Sequence, residues 1–374
     1  MKSVFILEDS SKSYYGGGQQ ISLLAIKILR EKGVRLYLAD YTSKSLFNEK
    51  VKIFIPFDRQ LILKGKGTIT NSSKDRFYKT IEIVNSLFLF PINAFRIKKF
   101  LSTRNESEKT VVFYCTTKKT LLVSFLYSLL FNVEYIYHSH MVMDLSGIIG
   151  FCLKHALLKA KKVICVSNTV KNNLNFPNTV LLFNSLEDDA ILDKKYLYKK
   201  KIVVAAIGSL IYIKGFEYLI KSYDELKNKD DVEIRIYGVG ALWNHFLSLK
   251  KSDNIKLMGF NENILDELLN DVDIVVVPSI IPEALSMVIV QAKKVGLPCI
   301  VTNIGGQSEI IMDGIDGFCI PIMDAKSIAE KIDLLISDRN LYLKMAHYSH
   351  LSYVNYSFDK FKTGFLSIIF ESIF

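Results

Sequence analysis

The sequence predicts an α/β protein built from two doubly wound domains, and three observations support this. The chain has 374 residues, of which 49% are hydrophobic and 23% charged, so two ordinary domains can each bury a core. Short runs rich in β-branched residues alternate with longer apolar or amphipathic runs, as strands and helices do around parallel sheets. The alternation stops in a charged, turn-like stretch and restarts at Lys201. We predict an N-terminal domain over 1–188, a linker over 189–200, a C-terminal domain over 201–355 and a final helix over 356–374.

The first predicted strand leads into three consecutive glycines. Val4–Leu7 is followed by polar residues, then by Gly16, Gly17 and Gly18, and a helix pattern runs from about Gln19. Glycines before a helix let the backbone approach an anion, while free N–H groups and the helix dipole face it. A plain tight turn explains the same residues equally well, because no GxGxxG pattern is present.

A long polar segment and an apolar one follow. Residues 60–80 are basic and rich in Gly, Ser and Thr, which predicts a long loop. Residues 83–95 are mostly apolar and aromatic, and Arg96, Lys98 and Lys99 add a cationic edge. Two structures fit this second segment: a helix lying on an anionic bilayer surface, or a core helix broken near Pro91 whose lysines are solvated.

Two histidines stand at the end of a predicted strand. The apolar run that ends near Tyr137 is followed directly by His138 and, two residues later, His140. Metal ligation normally needs further His, Cys or carboxylate partners, and only Asp144 is close in sequence. We therefore predict that these histidines contact a substrate and that the chain holds no metal.

The stretch 273–317 organises the C-terminal half. A buried strand stops at Pro278, and Glu283 opens the predicted helix that follows, where a carboxylate can bind a sugar or simply stabilise the helix dipole. Upstream, Lys214 and Gly215 precede another predicted helix. A cation and free amide donors at such a place can bind a phosphate, although a solvated lysine fits the pattern too.

The positive charge lies in the first half of the chain. Residues 1–190 carry 27 Lys and Arg against 15 Asp and Glu, whereas the remainder carries 21 against 23. A basic face can meet nucleic acid, an anionic membrane or a phosphorylated acceptor. No nucleic-acid motif interleaves aromatic residues with the basic clusters, so we predict no nucleic-acid partner and keep the anionic membrane surface as a candidate partner.

The lack of a predicted signal peptide or membrane span, together with the cysteine usage, favours a cytoplasmic protein. Four consecutive apolar residues before Glu8 predict a first strand and no signal peptide. The longest uncharged stretch of the N-terminal half, 120–133, is shorter than the roughly 20 residues that span a bilayer. The five cysteines form no CxxC pair, which favours reduced thiols. We expect a cytoplasmic chain, peripheral on the inner face of the cell membrane if the basic domain binds lipid.

Several motifs resemble one enzyme family. IGSLIYIKGFEYLI, IYGVG, IKLMGF, DIVVVPSIIPEALSMVIVQAKKVGLPCIVTNIGGQSEII and DGIDGF stand in the order and spacing of the retaining glycosyltransferases of family 4. In that family two Rossmann-like domains face each other across a cleft, the GT-B architecture. The glycine loop, the YHSH strand end and the aromatic helix after SFDKF are also similar to the family, whose last helix crosses back to the first domain.

The resemblance implies a nucleotide diphosphate sugar, with a UDP-sugar favoured, on the C-terminal domain and a glycan or lipid-linked sugar acceptor on the other face. It assigns the diphosphate to Lys214, the sugar to Glu283, and contact with the sugar or acceptor to His140 and His138. Beyond the donor substrate no cofactor is implied. No DxD-like acidic pair is placed to hold Mg²⁺, so we predict metal-independent transfer. The full set of donor-binding candidates is Gly16, Gly17, Gly18, Ser209, Lys214, Phe260, Glu283, Ala284, Leu285, Ser286 and Gln291.

Two positions depart from the family pattern. Gln291 stands where the family has a ribose-binding Glu, and Ser209 where it commonly has an Arg of the diphosphate clamp. An amide accepts a ribose hydroxyl without the charge that strengthens the bond. Two hypotheses follow: a retaining hexosyltransferase of cell-surface polysaccharide synthesis, or a catalytically weak or silent partner with the same fold. A nicotinamide-dependent oxidoreductase is disfavoured, because the GxGxxG fingerprint is missing.

Overall fold

The structure is a computed structural model in which the chain divides into two compact units. The first comprises Met1–Leu182 with Phe361–Phe374, and the second Phe183–Lys360. The predicted linker, 189–200, lies outside the described residues, so the domain boundaries stay a prediction. The structure describes residues 3–10, 17–56, 59–65, 81, 84–85, 88–102, 111–188 and 201–373.

The first unit contains a seven-stranded sheet, parallel throughout, in the order β3-β2-β1-β4-β5-β6-β7. Its strands are β1 (Ser3–Leu7), β2 (Arg35–Asp40), β3 (Gln60–Ile62), β4 (Val111–Cys115), β5 (Tyr135–Ser139), β6 (Lys162–Cys165) and β7 (Thr179–Leu181). The chain reverses its direction across the sheet between β1 and β4, and such switch points are where open α/β sheets bind ligands. The prediction of a loop over 60–80 is wrong for β3, because a three-residue edge strand is too short to show periodicity.

The helices of this unit begin at recognisable caps. The side chains of Ser45, Thr117 and Ser167 accept hydrogen bonds from backbone N–H groups of the first turns of α2, α4 and α6. Pro91 is the second residue of α3, where a missing N–H costs little. Residues 84, 85 and 88 before it are also helical, and a turn at Leu89 separates them from α3, as a helix broken near Pro91 requires. The helices are α1 (Gly17–Glu31), α2 (Leu46–Val51), α3 (Phe90–Ser102), α4 (Lys118–Phe131), α5 (Gly147–Lys159) and α6 (Asn168–Leu174).

The second unit repeats the plan with a six-stranded parallel sheet in the order β10-β9-β8-β11-β12-β13. Its strands are β8 (Ile202–Ile207), β9 (Val232–Tyr237), β10 (Ile255–Gly259), β11 (Ile274–Val277), β12 (Cys299–Thr302) and β13 (Gly317–Ile320). Two hydrophobic clusters, one on each side of the sheet, form its core. The next helices are α7 (Phe216–Glu225), α8 (Trp243–Leu249), α9 (Ile264–Asn270), α10 (Met287–Lys294), α11 (Gly305–Glu309), α12 (Ala325–Ser337), α13 (Arg339–Ser352) and α14 (Phe358–Ile373).

The final helix, α14, packs within the first unit, as predicted. Phe365 is fully buried and meets the ring of Tyr114 edge to face, with the ring centres 5.8 Å apart. Lys362 reaches Glu31 of α1 at 2.6 Å. The first unit is thus assembled from both ends of the chain.

Two features bear on location. Within the described ranges, no helix is both long and apolar enough to cross a bilayer. All five cysteines are free: Cys115, Cys165 and Cys299 are buried, Cys319 is half-buried, and Cys152 is exposed on α5.

Candidate functional site

A lysine and a carboxylate, 69 positions apart in the chain, meet at the end of the second sheet. Lys214 ends the short 3-10 helix Tyr212–Lys214, which follows β8, and Glu283 lies in the loop after β11. Because β8 and β11 are neighbours in the sheet, these loops emerge side by side. Lys214 Nζ lies 2.9 Å from Glu283 Oε1, and the two side chains are 26% and 17% exposed. Both charges are therefore partly shielded yet open to a ligand.

Glu283 is held by three further contacts. The Ser279 hydroxyl donates to the same carboxylate oxygen that contacts Lys214. The backbone N–H of Glu283 donates to Gln307 Oε1 at 3.0 Å, and its carbonyl accepts from the Gly306 N–H at 2.7 Å. The prediction that Glu283 opens a helix is wrong, since α10 begins only at Met287. These contacts hold the residue in an extended loop against the start of α11.

Two glycines let the surrounding loops approach this closely. A Cβ at Gly306 would lie 2.0 Å from the Ala284 carbonyl oxygen, and one at Gly215 would lie 2.0 Å from that of Pro278. Gly215 also has a φ of +66°, which side-chain-bearing residues rarely adopt. Only glycine fits at either position, so the loops after β8, β11 and β12 pack backbone against backbone around Lys214 and Glu283.

The other donor-binding candidates of the second unit lie in or beyond the loops that follow its strands. Ser209 is half-buried two residues after β8, and Ser286 is buried immediately before α10. Gln291 is half-buried in α10, as are Ala284 and Leu285 in the loop before it. Phe260 is 74% exposed beyond β10, which is two strands from β8.

In the first unit, the glycine loop and the histidines lie together. Gly17 and Gly18 begin α1, whereas Gly16 lies outside the described residues. A Cβ at Gly18 would lie 3.6 Å from Cδ2 of His140. The His138 and His140 rings pack with their centres 4.2 Å apart. The start of α1 and the end of β5 thus form a second candidate site, within the first unit.

Both histidines are neutral at physiological pH. Burial lowers the pKa of His140 to about 4. Burial, and secondly His140, hold the pKa of His138 well below its usual range. Both His140 ring nitrogens and His138 Nε2 are buried and lack a hydrogen-bond partner in the part of the chain that the structure describes. Leaving such groups unpaired costs about 1–3 kcal/mol each, which is typical of a site that a ligand completes.

Sequence reasoning missed a cluster of buried ionisable groups in the first unit. Asp9, just after β1, pairs with Lys119 at 3.1 Å, and both side chains are almost fully buried. Burial, and secondly the Asp40 carboxylate, raise the pKa of Glu8 to about 8. Burial raises the pKa of Asp40 to about 6. The available signal was that Glu8, Asp9 and Asp40 each end an apolar strand, where a sheet binds ligands.

Within the described ranges, no three His, Cys, Asp or Glu side chains are grouped so that they could hold a metal ion. Metal-independent chemistry stays a prediction.

Comparisons with known proteins agree with this architecture. Residues 187–351 match the family described as "Glycosyl transferases group 1". The capsular polysaccharide biosynthesis glycosyltransferase CapM of Staphylococcus aureus is 26% identical over 221 residues, 52% of this chain and 57% of CapM. An N,N'-diacetylbacillosaminyl-diphospho-undecaprenol alpha-1,3-N-acetylgalactosaminyltransferase of Campylobacter jejuni is 27% identical over 234 residues, 61% of this chain and 59% of that one. These matches thus span little more than half of each relative.

A structural neighbour covers the whole chain. Anabaena Alr3699/HepE, solved in complex with UDP, superposes with a TM-score of 0.77 at 17% identity, over 99% of this chain and all of the other. At this identity the likeness establishes the fold, and it confirms the predicted class of two Rossmann-like domains. Residues 187–351 thus match the glycosyl transferases group 1 family, and the chain as a whole has the fold of the GT-B glycosyltransferases.

Proposed function

We propose that this chain is a glycosyltransferase that moves a hexose from a nucleotide diphosphate sugar to a glycan or lipid-linked acceptor in cell-surface polysaccharide synthesis. The observation that carries the proposal is the contact between Lys214 and Glu283 at the end of the second sheet. Lys214 can neutralise the leaving diphosphate, and Glu283 can accept hydrogen bonds from sugar hydroxyls. The loops that carry them pack closely because Gly215 and Gly306 have no side chain.

The proposed mechanism begins with an exchange of partners. An arriving diphosphate competes with Glu283 for Lys214, because phosphate oxygens carry more charge than one carboxylate. Lys214 then neutralises the charge that develops on the leaving group, and Glu283 is freed to accept hydrogen bonds from the sugar. Fixed charges of this kind supply a large share of the rate enhancement in many enzymes.

The comparisons support the choice of substrates. HepE has been solved with UDP and with UDP-glucose, which favours a UDP-sugar donor here. The name of the Campylobacter relative includes a diphospho-undecaprenol substrate, and CapM is named for capsular polysaccharide biosynthesis. We therefore favour a lipid-linked sugar as the acceptor.

We also propose that the sugar keeps its anomeric configuration and that no metal is needed. The resemblance to family 4 supports retention, and the Lys214 cation with the loop amides supports metal independence. The anomeric signals of the product, followed by NMR, test the first proposal. Turnover that EDTA abolishes and Mg²⁺ restores would contradict the second.

Variants of the pair test the proposed activity. Lys214→Ala and Glu283→Gln should each lower kcat about 100-fold or more, by analogy with the loss of one transition-state donor. Lys221→Ala is the matched control, because Lys221 lies on α7 and contacts only Glu217 and the Tyr218 ring among the described residues. Release of nucleoside diphosphate from a panel of sugar nucleotides is the measurement. Absence of turnover with every donor, together with unchanged cellular function in both variants, would favour the silent-partner hypothesis.

We further propose that the first unit binds an anionic membrane. Helices α3, α4 and α5 contain no Asp or Glu, and six Lys and Arg lie on them in addition to the buried Lys119. The three are neighbours: Lys98 of α3 lies over the Phe131 ring of α4, and α4 packs against α5. This basic surface is where an anionic bilayer would be attracted.

Exposed apolar side chains interrupt the basic surface. On α5, Ile148 and Phe151 are 85% and 63% exposed, and Leu158 continues the same helix face. On α3, Ile92 and Phe95 are exposed beside Lys98. Such a combination suits helices that lie in the headgroup region of a bilayer. One face of α3 is thus buried and the other is available to lipid, which supports the bilayer-surface alternative that the sequence left open.

Vesicle sedimentation tests this proposal. The protein should bind vesicles that contain phosphatidylglycerol and should not bind pure phosphatidylcholine. Ile148→Ser/Phe151→Ser should weaken binding about tenfold or more, because two apolar side chains no longer enter the bilayer. Leu351→Ser, at an exposed position of α13 in the second unit, is the control. Binding that ignores lipid charge and both substitutions would contradict the proposal.

A further inference from the structure

A continuous line of aromatic contacts joins the final helix to the histidine pair. On α14, Phe361 stacks on Phe365, with ring centres 5.7 Å apart, and Phe365 meets Tyr114 of β4 edge to face at 5.8 Å. The Tyr114 hydroxyl lies 2.6 Å from His138 Nδ1, and the His138 ring packs on His140. The side chains that lead to His140 are all almost fully buried, so packing fixes their relative positions: Phe361, Phe365, Tyr114 and His138.

The hydrogen bond between Tyr114 and His138 selects one form of the imidazole. Burial, and secondly Glu8, raise the pKa of Tyr114 well above its usual range, so the phenol keeps its proton. His138 is neutral and carries one ring proton. If that proton were on Nδ1, the Tyr114 O–H would have no acceptor among the described residues, since His138 Nδ1 is its one partner there. Tyr114 therefore donates to Nδ1, and the ring proton of His138 is on Nε2.

That arrangement leaves a fixed N–H donor at the end of β5. Nε2 of His138 is buried and has no partner within the described ranges. It belongs to a ring that packs against His140, whose own nitrogens are also unpaired. A neutral imidazole with a fixed tautomer can donate a hydrogen bond to a sugar or acceptor oxygen, whereas a mixture of tautomers offers that donor only part of the time.

We propose that Tyr114 is a positioning residue, which sets the tautomer and orientation of His138 and is itself held by Phe365 of the final helix. The consequence for catalysis rests on the proposed glycosyltransferase function, but the consequence for the tautomer does not. The last helix of the chain thereby supports the histidine site from within the first unit.

The test uses the full chain with ¹⁵N-labelled histidine. The wild type should show His138 with its proton on Nε2 and a hydrogen-bonded, unprotonated Nδ1, assigned by comparison with His138→Gln. Tyr114→Phe should show both tautomers, because it removes the donor and keeps the ring against Phe365. Its kcat should fall about fivefold to tenfold, the effect of one lost hydrogen bond, while the KM for the donor changes less than about twofold.

Tyr135→Phe is the matched control. Tyr135 is a buried phenol of β5, the strand that also carries His138. Its hydroxyl donates to the Ala156 carbonyl and not to a histidine. This variant should leave the His138 spectrum and kcat unchanged. An Nε2–H signal for His138 that survives Tyr114→Phe unaltered would overturn the proposal, as would a spectrum that places the proton on Nδ1 in the wild type.

A second variant tests the proposal if Tyr114→Phe does not fold. Phe365→Leu leaves the hydroxyl in place and removes its edge-to-face support, so the same mixing of tautomers should occur to a smaller extent. An unchanged His138 spectrum in this variant would remove α14 from the proposal. If the wild type turns over no sugar nucleotide, the proposed function fails, and the spectra alone decide whether Tyr114 sets the tautomer.

Discussion

A buried ion pair at the edge of the second sheet where β12 and β13 begin, opposite the loops that carry Lys214 and Glu283, gives a prediction whose size follows from the structure. Lys293 of α10 is 0% exposed and Asp316, before β13, is 1% exposed, with Nζ 2.6 Å from Oδ2. Lys293 also donates to the Ser352 hydroxyl at 2.7 Å, and Asp316 Oδ1 accepts from the Met312 N–H at 2.9 Å. Asp316→Ala leaves the lysine buried without its carboxylate, and such a loss destabilises proteins by about 3–5 kcal/mol.

Thermal unfolding measures this loss. For a domain of the size of the second unit, about 1 kcal/mol corresponds to roughly 2–4 °C, so Asp316→Ala should lower Tm by about 6–20 °C. Asp224→Ala is the control, because it breaks a pair with Lys251 on the surface of the same unit. That change should cost less than about 1 kcal/mol.

A double variant separates the buried charge from simple loss of packing. Lys293→Met/Asp316→Leu removes both charges and keeps most of the volume, so it should recover much of the stability that Asp316→Ala loses. The reasoning is refuted if Asp316→Ala unfolds within about 2 °C of the wild type. It is also refuted if the double variant is less stable than the single one.

Three further predictions concern the sites. Gln291→Glu should tighten donor binding in a titration if residue 291 contacts the ribose, and unchanged affinity would place it elsewhere. Gly306→Ala puts a methyl group 2.0 Å from the Ala284 carbonyl oxygen, so it should lower the free energy of unfolding by about 1–3 kcal/mol and raise the KM for the donor. Gly314→Ala is the control: its methyl group meets open space, so it should lower the free energy of unfolding by about 1 kcal/mol and leave KM unchanged. The pKa of Glu8 is about 8 in the folded chain, against an ordinary value near 4.5. Between these two pH values Glu8 takes up a proton when the chain folds, so the free energy of unfolding falls as the pH rises. Glu8→Gln should flatten that fall in Tm, and parallel curves for variant and wild type would contradict the assignment.

The fold was largely predictable because parallel strands buried on both faces appear as unbroken apolar runs. Ile274–Val277 is such a run, and all four of its residues are buried. Gln60–Ile62 was missed, since three half-buried residues at a sheet edge carry no such signal. The start of α10 was misplaced because Glu283 is fixed by contacts with Ser279 and Gln307, which no local pattern reveals.

The candidate site was predictable only in part. Motif resemblance identified Lys214 and Glu283, and their contact follows from the adjacency of β8 and β11, which the order of strands along the chain does not show. The role of Tyr114 could not be predicted, because its partners His138 and Phe365 come from β5 and from the last helix. Contacts between distant segments depend on topology, and a single sequence gives little information about them.

The position of α14 has a consequence for the order in which the chain folds during synthesis. The core of the first unit includes Phe361 and Phe365, so it stays incomplete until these residues have left the ribosome. The second unit, by contrast, has all its described strands by residue 320, and Tyr353 and Tyr356 complete its core. The domain that is synthesised first is therefore the one completed last, and a chain truncated after residue 360 would contain every core residue of the second unit but lack those that complete the first.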